Sequence, residues 1–254
     1  MADSERRAVV SGGSGGIGRA VVFALAEAGY EVVALGRAAD RLAALTDDAR
    51  TRGHRVTTRV CDLTDDSAVA DLAGALGPVS ILVNNAGAAR SARLRDTDVD
   101  LWHHHLDANA TSAFLLTRAV LPGMRERDHG RVVFVASTAA HVGTRYTVAY
   151  AAAKHAVLGL ARSVADEVAG TGVTSNAVCP AFVRTPMTER SVARVAERTG
   201  RDPRQAERAL AESTPLGRLI EPEEVAAAVA YLASPLAGAV NGQSLTLDGG
   251  DTQR

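Results

Sequence analysis

The chain of 254 residues is short of cysteine, of aromatic side chains and of any excess of charge. Two cysteines, Cys61 and Cys179, cannot build a disulfide framework or a zinc cluster, and they fit a reducing, intracellular setting. Lysine plus arginine number 28 against 29 aspartate plus glutamate, a formal net charge of −1. Broad binding to nucleic acid or an anionic membrane needs a basic excess that is missing here. No apolar run is long enough to span a bilayer, and residues 1–7 are polar, without the apolar segment of a secretion signal. The expectation is a soluble, cytoplasmic protein with neither a nucleic-acid nor a membrane partner. Aromatics make up only 4% while glycines number 23, a pairing that points to close backbone approaches and short turns.

What is present is an alternation of short β-rich apolar runs with longer stretches of helical period. The runs at 8–11, 31–35, 55–61, 81–84, 131–137, 174–179 and 244–247 predict strands. Stretches at 17–28, 40–50, 67–75, 98–121, 149–168 and 223–232 predict helices. Such alternation builds an α/β domain of the doubly wound kind, with a seven-stranded, mainly parallel sheet and helices on both faces. No linker or change of composition divides the chain, so residues 1–254 are expected to form one domain. Residues 184–214 are polar, rich in arginine and compatible with helix, and are expected to form a lid over a substrate site.

The first predicted strand ends in Ser11-Gly12-Gly13-Ser14-Gly15-Gly16-Ile17-Gly18, and an amphipathic helix follows at once. Glycine lets backbone N–H groups approach a pyrophosphate, and the start of the helix adds partial positive charge. A flexible turn would carry the same glycines, but the position between strand and helix favours a nucleotide. Ser11, Gly12, Ser14, Gly16, Ile17 and Gly18 are the candidates to hold it. The second strand runs through Val33-Ala34-Leu35 into Gly36-Arg37, without the acid that would grip the 2′-hydroxyl of NAD. A guanidinium there can pair with a 2′-phosphate, so NADP(H) is favoured over NAD(H), the alternative being that Arg37 merely solvates a loop.

Tyr150 and Lys154 stand four residues apart in a strongly helical stretch, which puts phenol and ammonium on one face. An unperturbed tyrosine has a pKa of about 10, and a neighbouring cation lowers it by favouring phenolate. Ser137 closes the fifth predicted strand, where its hydroxyl points into the crevice at the carboxyl edge of the sheet. Three consecutive histidines, His103-His104-His105, suggest a metal, but adjacent helical residues diverge by about 100° and cannot share one ion. No metal site is expected, and Trp102 and Leu106 are expected to pack inward.

With these motifs in order, the chain resembles a short-chain dehydrogenase/reductase of the single-domain, 3-oxoacyl reductase-like type, over nearly its whole length. The family's glycine motif matches Ser11 to Gly18, with Ser11 in place of the usual threonine, and its Asn-Asn-Ala-Gly signature is Asn84-Asn85-Ala86-Gly87. Its active-site Asn, Ser, Tyr and Lys match Asn109, Ser137, Tyr150 and Lys154. The resemblance implies a Rossmann-type fold and an oxidoreductase that interconverts a ketone and a secondary alcohol. It implies that Tyr150 exchanges the substrate proton and that Ser137 hydrogen-bonds the carbonyl oxygen. Lys154 would bind the nicotinamide ribose, lower the Tyr150 pKa and connect through water to Asn109. Asp62 and Leu63 would contact adenine, Asn85, Ala86 and Gly87 would line the cofactor, and Pro180, Val183 and Thr185 would meet the nicotinamide. Ala181 stands where the family has glycine. Relatives form tetramers through two long helices and the C-terminal segment, so a homotetramer or dimer is expected.

The substrate is the least defined part. His141, Arg145 and Tyr146 follow Ser137, and His141 and Arg145 are the substrate-contact candidates, beside Ser137 and Tyr150. Arg190, Arg194 and Arg198 form a stripe that could attract the phosphates of an acyl thioester, or could be a solvated face balanced by Glu189 and Glu197. Family ketoreductases that act on carrier-bound acyl groups dock the carrier on basic residues; the matching positions here are Asp128 and Thr171, which argues against a carrier protein and keeps a free ketone or a coenzyme A thioester open, although Arg125, Arg127 and Arg131 nearby could substitute. The expected reaction is NADP(H)-dependent reduction of a 3-oxoacyl thioester or related ketone. Two other readings stand: an NAD-preferring alcohol or 3-hydroxyacyl dehydrogenase, and a nucleotide-sensing protein that has lost its chemistry.

Overall fold

A computed structural model describes residues 6–200 and 202–253. Seven strands form one sheet in the order β3-β2-β1-β4-β5-β6-β7, and every pairing is parallel. They are β1 (Arg7–Ser11), β2 (Glu31–Gly36), β3 (Val56–Val60), β4 (Ile81–Asn84), β5 (Gly130–Val135), β6 (Val173–Pro180) and β7 (Ser244–Leu247). Each lies within two residues of its expected span. β4, β5 and β6 are buried at every position, as central strands covered on both faces must be, whereas edge strand β3 alternates and leaves Val60 exposed.

Helices α1 (Gly16–Glu27), α2 (Ala39–Thr51) and α9 (Pro222–Ala233) cover one face, packing Val22, Leu25, Leu42, Leu45, Val225 and Leu232 onto Val10, Ala34 and Val133. Helices α3 (Asp66–Leu76), α5 (Ser112–Glu126) and α6 (Val148–Glu167) cover the other through Leu72, Leu116, Met124, Val157 and Leu158. Each such side chain contributes roughly 1.5–3 kcal/mol on burial, which is why the alternation in sequence becomes layers in space.

The expected helix at 98–121 is not continuous. It divides into α4 (Val99–Leu106), a π-helical turn at Asp107–Thr111, and α5, which runs on through Pro122. Proline removes one intrahelical bond, but Val120, Leu121 and Met124 stay buried around it, and tertiary packing overrides the break. The face α4 turns inward carries Leu101 and His105, not Trp102 and Leu106: Trp102 is exposed and Leu106 only partly covered.

Residues 184–214 contain α7 (Pro186–Thr199) and α8 (Pro203–Ala211). Each begins with proline at its first turn behind a capping side chain, Thr185 or Asp202, and α7 stops at Gly200 in the left-handed region (φ 69°). The pair has its own small core of Val192, Ala196 and Ala206.

Candidate active site

Strand order reverses between β1 and β4, which opens a crevice at their carboxyl ends. The glycine turn fills the β1 side. Gly12 and Gly16 have φ of 65° and 51°, and a Cβ on Gly18 would lie 2.2 Å from the Gly12 carbonyl oxygen. Side chains are therefore sterically excluded at these points, and the backbone faces the crevice bare. Ser11 Oγ accepts from the N–H groups of Asn85 and Ala86, both at 2.9 Å, and Asn85 Nδ2 donates to the Ser11 carbonyl at 2.9 Å. The Ser11 hydroxyl and the Asn85 amide thus tie the β1 turn to the β4 turn and act as positioning groups within the protein.

At the far end of the crevice, Gly36 leaves room for Ser14, whose Oγ lies 3.5 Å from the place a Gly36 Cβ would take. Arg37 is exposed, and its charge helps hold the Asp62 carboxyl below its ordinary pKa, after the larger effect of hydrogen bonds from Thr64. Leu63 is buried beside Asp62. A second guanidinium, absent from the sequence expectations, belongs here: Arg41 Nη1 lies 3.9 Å from a Cβ placed on Gly15. Its place in the first turn of α2, four residues after Arg37, was the available signal. Across the turn, Thr185 Cγ2 is 3.1 Å from a Cβ placed on Gly16, so the cap of α7 closes the crevice opposite the glycines. Pro180 ends β6, and Val183 is buried and bridged to Ile220. Ala181 is not among the residues with positive φ, so its backbone accepts a methyl in place of the family's glycine.

The remaining groups converge on the carboxyl ends of β5 and β6. Ser137 lies two residues beyond β5, later than its expected strand position, and caps a short 3₁₀ turn by accepting from Ala139 N–H at 3.2 Å. Its hydroxyl also acts on the Tyr150 phenol and pulls the phenol pKa down, but desolvation is stronger and the net shift is upward. Lys154 is 5% exposed; its Nζ donates to the Val135 carbonyl at 2.9 Å and lies 5.7 Å from the centre of the Tyr150 ring. Burial pulls the lysine down to about 8. The expected lowering of Tyr150 by Lys154 is therefore not what this arrangement produces, because desolvation disfavours charge on both groups. Burial likewise pushes the Cys179 thiol up to about 11, beside Ser137 N–H and Lys154.

The π-helical turn explains how Asn109 joins them. Asn109 Nδ2 donates to the carbonyls of His105 and Ala88 at 2.9 and 3.0 Å, while its buried Oδ1 has no partner among the described residues. Gly87 lies between it and the lysine: a Cβ there would come 2.5 Å from Asn109 Oδ1 and 3.8 Å from Lys154 Nζ. A bare glycine cradle, an unanswered amide oxygen and two guanidiniums, Arg37 and Arg41, without an ion pair among the described residues fit a nicotinamide dinucleotide.

The short chain dehydrogenase model matches residues 6–196. The chain belongs to the short-chain dehydrogenases. A protein assigned as a ketoacyl reductase of the granaticin polyketide synthase of Streptomyces violaceoruber is 39% identical over 96% of this chain and 92% of its own. D-beta-hydroxybutyrate dehydrogenase of Cupriavidus necator is 37% identical over 96% of this chain and 97% of its own. Among solved structures, a variant of actinorhodin polyketide ketoreductase with NADPH covers all of both chains at a TM-score of 0.96 and 33% identity. This short-chain dehydrogenase is accordingly an NAD(P)-dependent oxidoreductase that interconverts a ketone and an alcohol.

Other candidates lie elsewhere. The charged groups acting on His141 are Arg162, His155 and Asp248, and burial lowers its pKa most. Arg145 is exposed and makes no hydrogen bond or ion pair among the described residues. Arg190 is exposed and Arg194 half-buried, and the side chain of Arg198 lies outside the described residues. Arg131 is no free cation for a carrier: it is 8% exposed and donates to the carbonyls of Gly130 and Gly172. His105, which sequence reasoning had set aside with its neighbours, is fully buried with its ring edge-on to Tyr150. One ring nitrogen meets the Leu101 carbonyl and the other accepts from Arg90 N–H.

Proposed function

We propose that this dehydrogenase uses NADP(H) to reduce the 3-oxo group of an acyl thioester or a related ketone. The observation that carries the reaction is the placement of Ser137, capping the turn just after β5, and of Tyr150 beside buried Lys154, whose Nζ donates to the Val135 carbonyl at the end of that same strand. When bound, the nicotinamide supplies the hydride. Tyr150 donates its proton to the carbonyl oxygen, and Ser137 donates a hydrogen bond to that oxygen and fixes its position. The raised pKa of Tyr150 keeps it a proton donor at neutral pH. Lys154 holds the nicotinamide ribose, and the open Oδ1 of Asn109 accepts a hydrogen bond on the path by which the tyrosine regains its proton from solvent.

The preference for NADP(H) rests on the missing acid after β2 and on Arg37 and Arg41, both without an ion-pair partner among the described residues. Ser14 and Gly36 border the same phosphate, and Gly12, Gly16, Ile17 and Gly18 hold the pyrophosphate. Asp62 and Leu63 flank the adenine, Ala86 and Gly87 the central crevice, and Pro180, Val183 and Thr185 the carboxamide. The helices α7 and α8 act as a lid on what we take to be a single domain over 1–254. Exposed Phe114 on α5 and Leu245 on β7 are compatible with assembly into a homotetramer. The two free, buried thiols suit a cytoplasmic setting, and no helix among the described residues is long and apolar enough to cross a membrane.

The test is a steady-state screen of NADPH and NADH against 3-oxoacyl thioesters, free 3-oxo acids and cyclic ketones. Faster turnover of thioesters with NADPH supports the proposal. NAD-linked oxidation of a free 3-hydroxy acid as the best reaction would replace it with the dehydrogenase reading, which the likeness to D-beta-hydroxybutyrate dehydrogenase favours.

A further inference from the structure

The arginines that gather in space do not include Arg190 or Arg194, the described members of the 190–198 stripe. Between α8 and the loop before α9 lies a cavity of about 330 Å³ lined by Arg184, Arg204, Arg208 and Arg218, with Glu207 as its one acidic residue among those described. Two of these cations are fixed. Arg184 pairs with Glu207 at 2.7 Å and Glu221 at 3.0 Å, and Arg218 grips Glu224 with two bonds of 2.6 and 2.8 Å. The other two, Arg204 and Arg208, have no carboxylate partner among the described residues. They stand one turn apart on α8, where like charges repel, and neither makes an ion pair among the described residues.

A second cavity of about 320 Å³ shares Arg184, Arg204, Glu207 and Leu219 with the first and is also lined by Thr185 and Thr188. Thr185 faces Gly16 across the crevice, so the arginine cavity adjoins the cofactor cleft. Arg204 and Arg208 present guanidinium forks to a space already walled by two immobilised guanidiniums. Forks of this kind match the oxygens of a phosphate.

We propose that Arg204 and Arg208, backed by Arg184 and Arg218, form a phosphate-binding site beneath α8. Where the substrate is an acyl thioester, the phosphate is that of the pantetheine-bearing carrier; this part rests on the thioester reading above. A free phosphate is the other source of the same chemistry.

Two measurements test it. Inorganic pyrophosphate is titrated calorimetrically into the NADPH-saturated enzyme, which keeps the probe off the glycine turn. Binding by the wild type, weakened about tenfold in Arg204→Ala/Arg208→Ala and recovered only in part in Arg204→Lys/Arg208→Lys, which keeps the charge and loses the fork, is expected, with the difference shrinking as salt is added because both side chains are exposed. Absent binding, or equal binding by the alanine variant, overturns the site. The second measurement compares acetoacetyl-coenzyme A with the same acyl group on N-acetylcysteamine, which has no phosphate. A KM about tenfold higher for the coenzyme A ester alone, at unchanged kcat, assigns the phosphate to the substrate's carrier. Equal KM changes for the two esters, with pyrophosphate binding still lost, assign the site to free phosphate. If neither ester is reduced while a free ketone is, the thioester reading fails, and the titration still decides the site.

Discussion

At Tyr150, two influences of opposite sign meet: desolvation raises the phenol pKa, and the nearby Ser137 hydroxyl lowers it by a smaller amount. A phenol held neutral is an acid, so the reductive rate should stay level through neutral pH and fall only in the alkaline range. The oxidative rate, which needs phenolate, should rise between about pH 7 and about pH 9. Paired pH profiles check this, and an oxidative rate that falls over that range would contradict it. Tyr150→Phe should cost about 10³-fold in reduction, while NADPH still binds by fluorescence; turnover near the wild-type rate would reject the proton-donor role. Lys154 gives a stability test. Its folded pKa of about 8 lies below its ordinary 10.5, so the unfolded chain binds more protons across that window. Its burial penalty is fully present below about pH 8 and is relieved as pH rises. Stability of the cofactor-free wild type relative to Lys154→Met should therefore rise by roughly 1–3 kcal/mol from about pH 8 to about pH 10 in urea melts. For Arg37, Arg37→Ala should weaken NADPH about tenfold or more and NADH little, since a charge-assisted pair is lost with the 2′-phosphate alone.

Elements decide where these residues arrive. The π-helical turn between α4 and α5 carries one residue more than an α-helix would fit, and the surplus lets Asn109 bond two carbonyls while leaving Oδ1 open. Deleting Ala110 should restore regular helix, turn Asn109 away and lower turnover by about 10²-fold, with circular dichroism near wild type. Undiminished turnover would show that the π turn has no part in the chemistry. The entry to α1 is equally constrained. Gly18→Ala would drive a methyl into the Gly12 carbonyl, so the turn must open and cofactor affinity must fall. Neither the π turn nor the inward direction of His105 was legible from periodicity, because a one-residue irregularity shifts the faces of a helix without changing its composition. By contrast, the strands were readable to within two residues, because burial on both faces demands unbroken apolar runs.

Across the whole molecule, the parallel sheet delivers the ends of β1, β4, β5 and β6 to one edge, and every proposed catalytic side chain comes from a segment just beyond those ends or from a helix laid against them. The Ser-Tyr-Lys set and the glycine turn were visible in the sequence because their spacings are local or their order along the chain is distinctive. The arginine cavity was not: Arg184, the Arg204 and Arg208 pair on α8, and Arg218 come from three places on the chain, and which of them lack a carboxylate partner among the described residues depends on where Glu207, Glu221 and Glu224 fall. The stripe at 190–198 was visible precisely as a stripe because it is local, yet its described members line neither cavity.

What the scarcity of cysteine, aromatics and net charge determined, together with the motifs, was the class of protein and the candidates for its reacting groups. Those follow from residue type and order, which folding does not alter. Tertiary structure decided the electrostatic state of Tyr150 and Lys154, the inward aim of Asn109, and the place where cations remain unanswered. These depend on burial and on partners far away in sequence, and burial is a property of the packed chain alone.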